Sequence, residues 1–143
     1  MPLVGGGGAG NTAGSNPAGI GKNLNFIRVD GKILAYAYSG VIGVSSSDVT
    51  LLEFTTGSEV CTVDLTTYSA NDTVHGDDIK ISLSFDGQKV AGYVLESTNS
   101  PATPVLPTPF VIAPYTKITL QAINLTGSTS RDVTATLVGE AYA

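Results

Sequence analysis

Ile79, Ile81, Leu83 and Phe85 alternate with Lys80, Ser82 and Ser84, and Asp86-Gly87 then turns the chain straight into Lys89–Leu95. A period of two puts the apolar side chains on one face of a strand. Asp-Gly suits the φ > 0 positions of a two-residue hairpin turn. The same grammar recurs along the chain. Leu24–Val29 and Ile33–Tyr38 flank Asp30-Gly31, and Val49–Phe54 is a β-rich apolar run. After Thr56-Gly57-Ser58 comes Val60–Thr66, with Cys61, Val63 and Leu65 on one face. Pro101, Pro104, Pro107 and Pro109 mark Ser100–Pro109 as an extended stretch unfit for a central strand. Val111, Ile112 and Pro114 lead into Lys117–Asn124, Gly127–Ser130 forms a polar loop, and Val133–Tyr142 is the last strand.

These segments predict about eight strands and no helix. Val, Ile and Thr together number 40 of 143 residues, and only 13% of the chain is charged. A coiled coil and a disulfide-stapled mini-protein are excluded by that profile. The expected fold is all-β: an antiparallel β-sandwich, a jelly roll of about eight strands, preceded by an extended Gly-rich arm. The domain division is 1–22 for the arm and 23–143 for the sandwich. In a jelly roll the fourth and fifth strands are hairpin neighbours, which matches Ile79–Phe85 and Lys89–Leu95. The link from Phe54 to Val60 is short for a crossing between sheets, so another sandwich topology stays open. No internal repeat is present.

Residues 1–22 hold eight of the 17 glycines, Gly5 to Gly8, Gly10, Gly14, Gly19 and Gly21, with Asn11, Asn16 and Pro17 among them. Lys22 is the only charge. Such a segment cannot build a core of its own. Ordering it costs about 20–40 kcal/mol of backbone entropy at roughly 1–2 kcal/mol per residue. If the arm is ordered, a neighbouring subunit or a partner surface must hold it.

The net charge of −5 argues against nucleic acid and anionic membranes as partners. No apolar run approaches the length of a membrane span. The start of the chain lacks the features of a secretory signal, so synthesis in a host cytoplasm is expected. Cys61 is in phase with Val63 and Leu65 and reads as a small buried hydrophobe. His75, within Asn71–Asp78, has no nucleophile signature beside it, so a catalytic triad is not supported. Asp72, Asp77 and Asp78 supply oxygens suited to Ca²⁺, without the spacing of an EF-hand loop. The chain has too few His and Cys for zinc. Gly5–Gly8 lacks the strand, helix and Lys of a phosphate-binding loop. The expectation is a non-enzymatic protein with no cofactor. Tyr36 and Tyr38 share a strand face and could stack on a sugar, but sandwich carbohydrate binders lean on Trp, which is absent.

The Gly-rich arm, the low charge and the C-terminal third together resemble the decoration (cement) proteins of tailed bacteriophage heads. The residues carrying the likeness are Ile112-Ala113-Pro114-Tyr115-Thr116-Lys117, before a strand ending at Asn124, and Ala135–Tyr142 at the close of the chain. The resemblance implies a structural protein on the outer capsid surface that clamps neighbouring capsid subunits and forms trimers. Its partners would be the major capsid protein and copies of itself. The contacts would fall on Gly5, Gly6, Gly7, Gly8, Gly10, Asn11, Asn16 and Pro17 of the arm, with Tyr36, Tyr38, Tyr115 and Tyr142 at the rim. A receptor- or glycan-binding module of a phage fibre, baseplate or host adhesin is the alternative.

Overall fold

A computed structural model describes residues 24–70, 77–95 and 108–142. Ten strands run in chain order: β1 Asn25–Val29, β2 Lys32–Tyr38, β3 Ile42–Val44, β4 Val49–Thr55 and β5 Val60–Ala70, then β6 Ile79–Phe85, β7 Gln88–Leu95, β8 Thr108–Ile112, β9 Lys117–Asn124 and β10 Arg131–Tyr142. All pairings are antiparallel. The first sheet has the order β1-β2-β10-β5-β8, with β3 also on β10, and the second has the order β4-β9-β6-β7.

β2 and β3 lie at one position along β10, interrupted at Ser39–Val41. Gly40 takes φ +69° in the break. The Ser39 hydroxyl accepts the Ala135 amide at 2.8 Å, and the Ser39 amide donates to the Ala135 carbonyl at 2.9 Å, so β10 keeps its partners across the gap. Counting β2–β3 as one strand and setting β1 aside leaves eight. Their first, eighth, third and sixth form one sheet, and their second, seventh, fourth and fifth form the other. That order is a jelly roll.

The eight strands expected from sequence were therefore not quite the right eight. β1 is an extra edge strand, while β8 supplies the sixth position. β8 begins in a proline-marked stretch, and Pro109 is tolerated there because β8 is an edge strand, the place in a sheet where proline is found. The Phe54–Val60 link does cross between sheets despite its length. Thr56 makes this feasible: its buried hydroxyl accepts the Thr116 amide at 2.8 Å and donates to the Ala113 carbonyl at 2.9 Å. The Tyr115 amide in turn donates to the Gly57 carbonyl at 2.9 Å. Link and turn are thus bonded to each other, and their polar groups need no longer path.

Both hairpin turns form as expected. Asp30 and Gly31 take φ of 49° and 78°, and Asp86 and Gly87 take 50° and 81°. Between the sheets lies one core, with Leu51, Leu52, Leu65, Ile79, Ile81, Ile112, Ile118, Leu120 and Leu137 fully enclosed. Leu51 and Leu52 both point inward because a register shift between Thr50 and Leu52 breaks the alternation of β4. Cys61 is fully buried in the core, as its phase with Val63 and Leu65 indicated. The arm, the 22/23 division, His75, Asp72, and Pro101, Pro104 and Pro107 lie outside the described residues.

Candidate interaction surface

The outer faces of the two sheets differ in how much apolar surface they expose. On the second sheet the outward positions of β6 are Lys80, Ser82 and Ser84, and those of β9 are Lys117, Thr119, Gln121 and Ile123. Glu53 on β4 lies 3.8 Å from Lys117 across that face. β7 adds two apolar side chains to this sheet, Val90 at 46% and Val94 at 40% exposed, the latter paired with Lys80. The first sheet exposes more of them.

The registers place its outward residues in rows. Ile27 of β1 faces Leu34 of β2, which faces Glu140 of β10, then Thr62 of β5 and Val111 of β8. The adjacent row runs Tyr36, Val138, Asp64 and Pro109. Toward one end lie Val29, Tyr142 and Val60, and toward the other lies Tyr38 opposite Thr136. Ile27, Val29, Val138 and Tyr142 are each between 44% and 49% exposed, and Val111 is 68% exposed. Large apolar side chains thus stand in water on β1, β2, β8 and β10, with Thr62, Asp64 and Glu140 between them, which makes this face a candidate interaction surface.

Of the tyrosines singled out from sequence, three share this face. The Tyr36 and Tyr38 rings are 5.2 Å apart and tilted by 36°, so they make a bent ridge and not a flat stacking platform. Tyr142 stands four residues along β10 from Val138, about 13 Å away at strand rise. Tyr115 is elsewhere, on the turn between β8 and β9, with φ 56° and 70% exposure. Sequence reasoning missed Ile27, Leu34 and Val138. For Leu34 the signal was present in Ile33–Tyr38, six consecutive residues with no charged or amide side chain, which gives β2 an apolar group on both faces, whereas Ile27 and Val138 reach the surface through the pairing registers.

Glu140 organises the charge on this face. Its carboxylate accepts the Tyr142 hydroxyl at 2.8 Å and the Lys32 ammonium at 3.3 Å. The Tyr142 hydrogen bond first, and the Lys32 bond and charge after it, hold the Glu140 carboxyl below the usual carboxylate range. Glu140 sits between two open depressions. One, of about 530 Å³, is lined by Thr62, Asp64, Pro109, Val111 and Gly139. The other, of about 450 Å³, is lined by Arg28, Lys32, Ile33 and Tyr142.

The acidic positions at the end of the Asn71–Asp78 loop serve a different purpose. Asp77 Oδ2 accepts Arg131 Nε at 2.9 Å and Asn124 Nδ2 at 2.7 Å. Asn124 Oδ1 accepts the amides of Thr126 and Gly127, and the Thr126 hydroxyl accepts the Asp78 amide. This nearly buried cluster ties the start of β6 to the β9–β10 loop. Among the described residues, no group of three or more His, Cys, Asp and Glu side chains is arranged to hold a metal ion.

No protein-family model matches the chain, and no curated protein sequence does. Several solved structures share part of the strand arrangement. The T13 particle of infectious bursal disease virus aligns at 15% identity and a TM-score of 0.48, over 75% of this chain and 31% of that one. T=1 particles derived from infectious bursal virus align at 15% and 0.48, over 78% and 32%. Dimeric latent PorU from Porphyromonas gingivalis aligns at 15% and 0.42, over 73% and 11%. This chain spans about a third of the length of the viral chains it resembles. At such identities and TM-scores, nothing about its activity or partners follows from the likeness.

Proposed function

We propose that this chain is a structural virion protein: a decoration protein that sits on the outside of a phage capsid and clamps neighbouring capsid subunits, as a homotrimer. The observation that carries the reading is the asymmetry between the two outer faces. The first sheet exposes Ile27, Val29, Leu34, Val111 and Val138 between polar side chains, against Val90 and Val94 on the second, and such an imbalance suits a subunit with one side in water and the other against protein. The resemblance in the C-terminal third supports it. Of the quoted residues, Ile112–Lys117 spans the turn from β8 into β9 and Ala135–Tyr142 lies in β10, and β9 and β10 occupy inner positions in opposite sheets.

The mechanism is linkage. A protein that binds only the mature lattice stabilises that lattice by mass action, and many weak contacts add over many copies. Residues 1–22 and the tyrosines of the first sheet would supply the contacts, with the major capsid protein and further copies as partners. Neither a cofactor nor a reaction is needed.

The test is co-sedimentation of the purified protein with mature, DNA-filled heads and with unexpanded precursors from the same phage. Binding to mature heads alone is expected, and it should be lost on deletion of residues 1–22. Full affinity of the truncated protein would overturn the role of the arm. Absence of binding to any head, together with strong binding to a glycan array, would favour a receptor-binding module instead.

A further inference from the structure

The apolar face needs an occupant, and the chain carries a segment of matching character. Residues 1–22 contain one charge, Lys22, and the apolar side chains Leu3, Val4 and Ile20 among glycines. A glycine-rich backbone can lie close against a sheet face because no β-carbons hold it off. The face itself offers apolar side chains, with the Asp64 carboxylate beside the larger depression and Glu140 already paired with Lys32. A nearly uncharged segment is complementary to that surface in polarity.

Length decides where the segment goes. It leads into β1, the edge strand of the first sheet, three residues before Asn25. Five strands at about 4.8 Å spacing make this face about 20 Å across, so six extended residues traverse it. Twenty-two residues reach about 70 Å. The segment is therefore long enough to leave its own domain and cross the same face of another.

We propose that, in the homo-oligomer, residues 1–22 of one copy dock on the outer face of the first sheet of a neighbouring copy, across Leu34, Tyr36 and Val138. The inference rests on the reading that copies of this chain assemble, and it names the surface that receives the arm. Arm exchange of this kind makes the apolar face a contact within the oligomer. Tyr38 and Tyr142, toward the two ends of that face, would stay available to the capsid.

Cross-linking of full-length chains tests it. Gly8→Cys in the arm, Val138→Cys on the first sheet and Val90→Cys on β7 of the second sheet are made singly. The Gly8 variant is co-expressed with each of the others, so that mixed oligomers assemble, and treated with a short bismaleimide. Cys61 is fully buried and gives little background. The expected result is a cross-linked pair from Gly8→Cys with Val138→Cys, several-fold above either variant alone, and none from Gly8→Cys with Val90→Cys. No pair from the Val138 mixture, or an equal yield from Val90, would overturn the proposal. So would a Gly8→Cys/Val138→Cys double variant that links only within one chain, since the arm would then cover its own face. All of this is read without capsids, so failure of the virion reading shows separately, as absent co-sedimentation.

Discussion

A β-carbon on Gly139 of β10 would collide with the Thr62 carbonyl oxygen of β5 and lie 2.6 Å from Val63 Cα. Both obstacles are backbone atoms within a paired ladder, so neither can swing aside. Gly139→Ala should lower stability by about 1–3 kcal/mol through overpacking. Gly92→Ala is the control, because a β-carbon there meets only the Ile81 carbonyl at an ordinary 3.6 Å. Denaturant titration compares the two, and an unchanged midpoint for Gly139→Ala would contradict the close approach.

Removing the guanidinium at Arg131 takes its 2.9 Å ion pair from Asp77, a nearly buried carboxylate. Side-chain exposures of 17% and 10% place this pair well inside the range where breaking it matters. Arg131→Met should cost about 3 kcal/mol. The loss should appear as a lower thermal midpoint, with retained β-sheet circular dichroism at low temperature. A midpoint equal to that of the parent would mean the pair ties nothing together.

The Glu140 carboxyl titrates low because Tyr142 and Lys32 favour its charged form. A carboxylate whose folded pKa is depressed contributes stability above its unfolded pKa, and that contribution fades as pH falls through the folded value. Glu140 is exposed, so the effect on stability is small and the titration itself is the better readout. Tyr142→Phe removes the largest cause and should move the Glu140 pKa upward, followed by NMR of the side-chain carboxyl carbon.

Burial raises the Cys61 thiol pKa, with the Glu59 charge adding to it. In native protein at mild alkaline pH, a thiol-disulfide reagent such as DTNB should leave Cys61 untouched for hours, and it should react at once in guanidinium. Rapid reaction of the native protein would place Cys61 outside the core.

Much of this was legible in the residues. Asp30-Gly31 and Asp86-Gly87 named their turns, and the alternation of Ile79–Phe85 named its strand and inward face, because turn chemistry and period two are local properties. The jelly-roll order was reached, but through a miscount. Pro109 marked its segment as unsuited to a central strand, and only the edge position of β8 makes it usable. The Phe54–Val60 link appeared too short because its hydrogen bonds go to Thr116 and Ala113, some 60 residues away in sequence. The candidate surface was half visible. Tyr36 and Tyr38 stood out as aromatics, whereas Val138 and Ile27 became neighbours of that pair only through pairing registers that no local pattern encodes.

Cryo-electron microscopy of purified mature heads tests the central claim most directly. The account predicts jelly-roll density on the outer capsid surface, clustered as trimers, with the second sheet toward solvent and protein density covering Tyr36 and Val138 of the first. Heads that carry this chain with that face bare to solvent, or heads that lack the chain altogether, would contradict it.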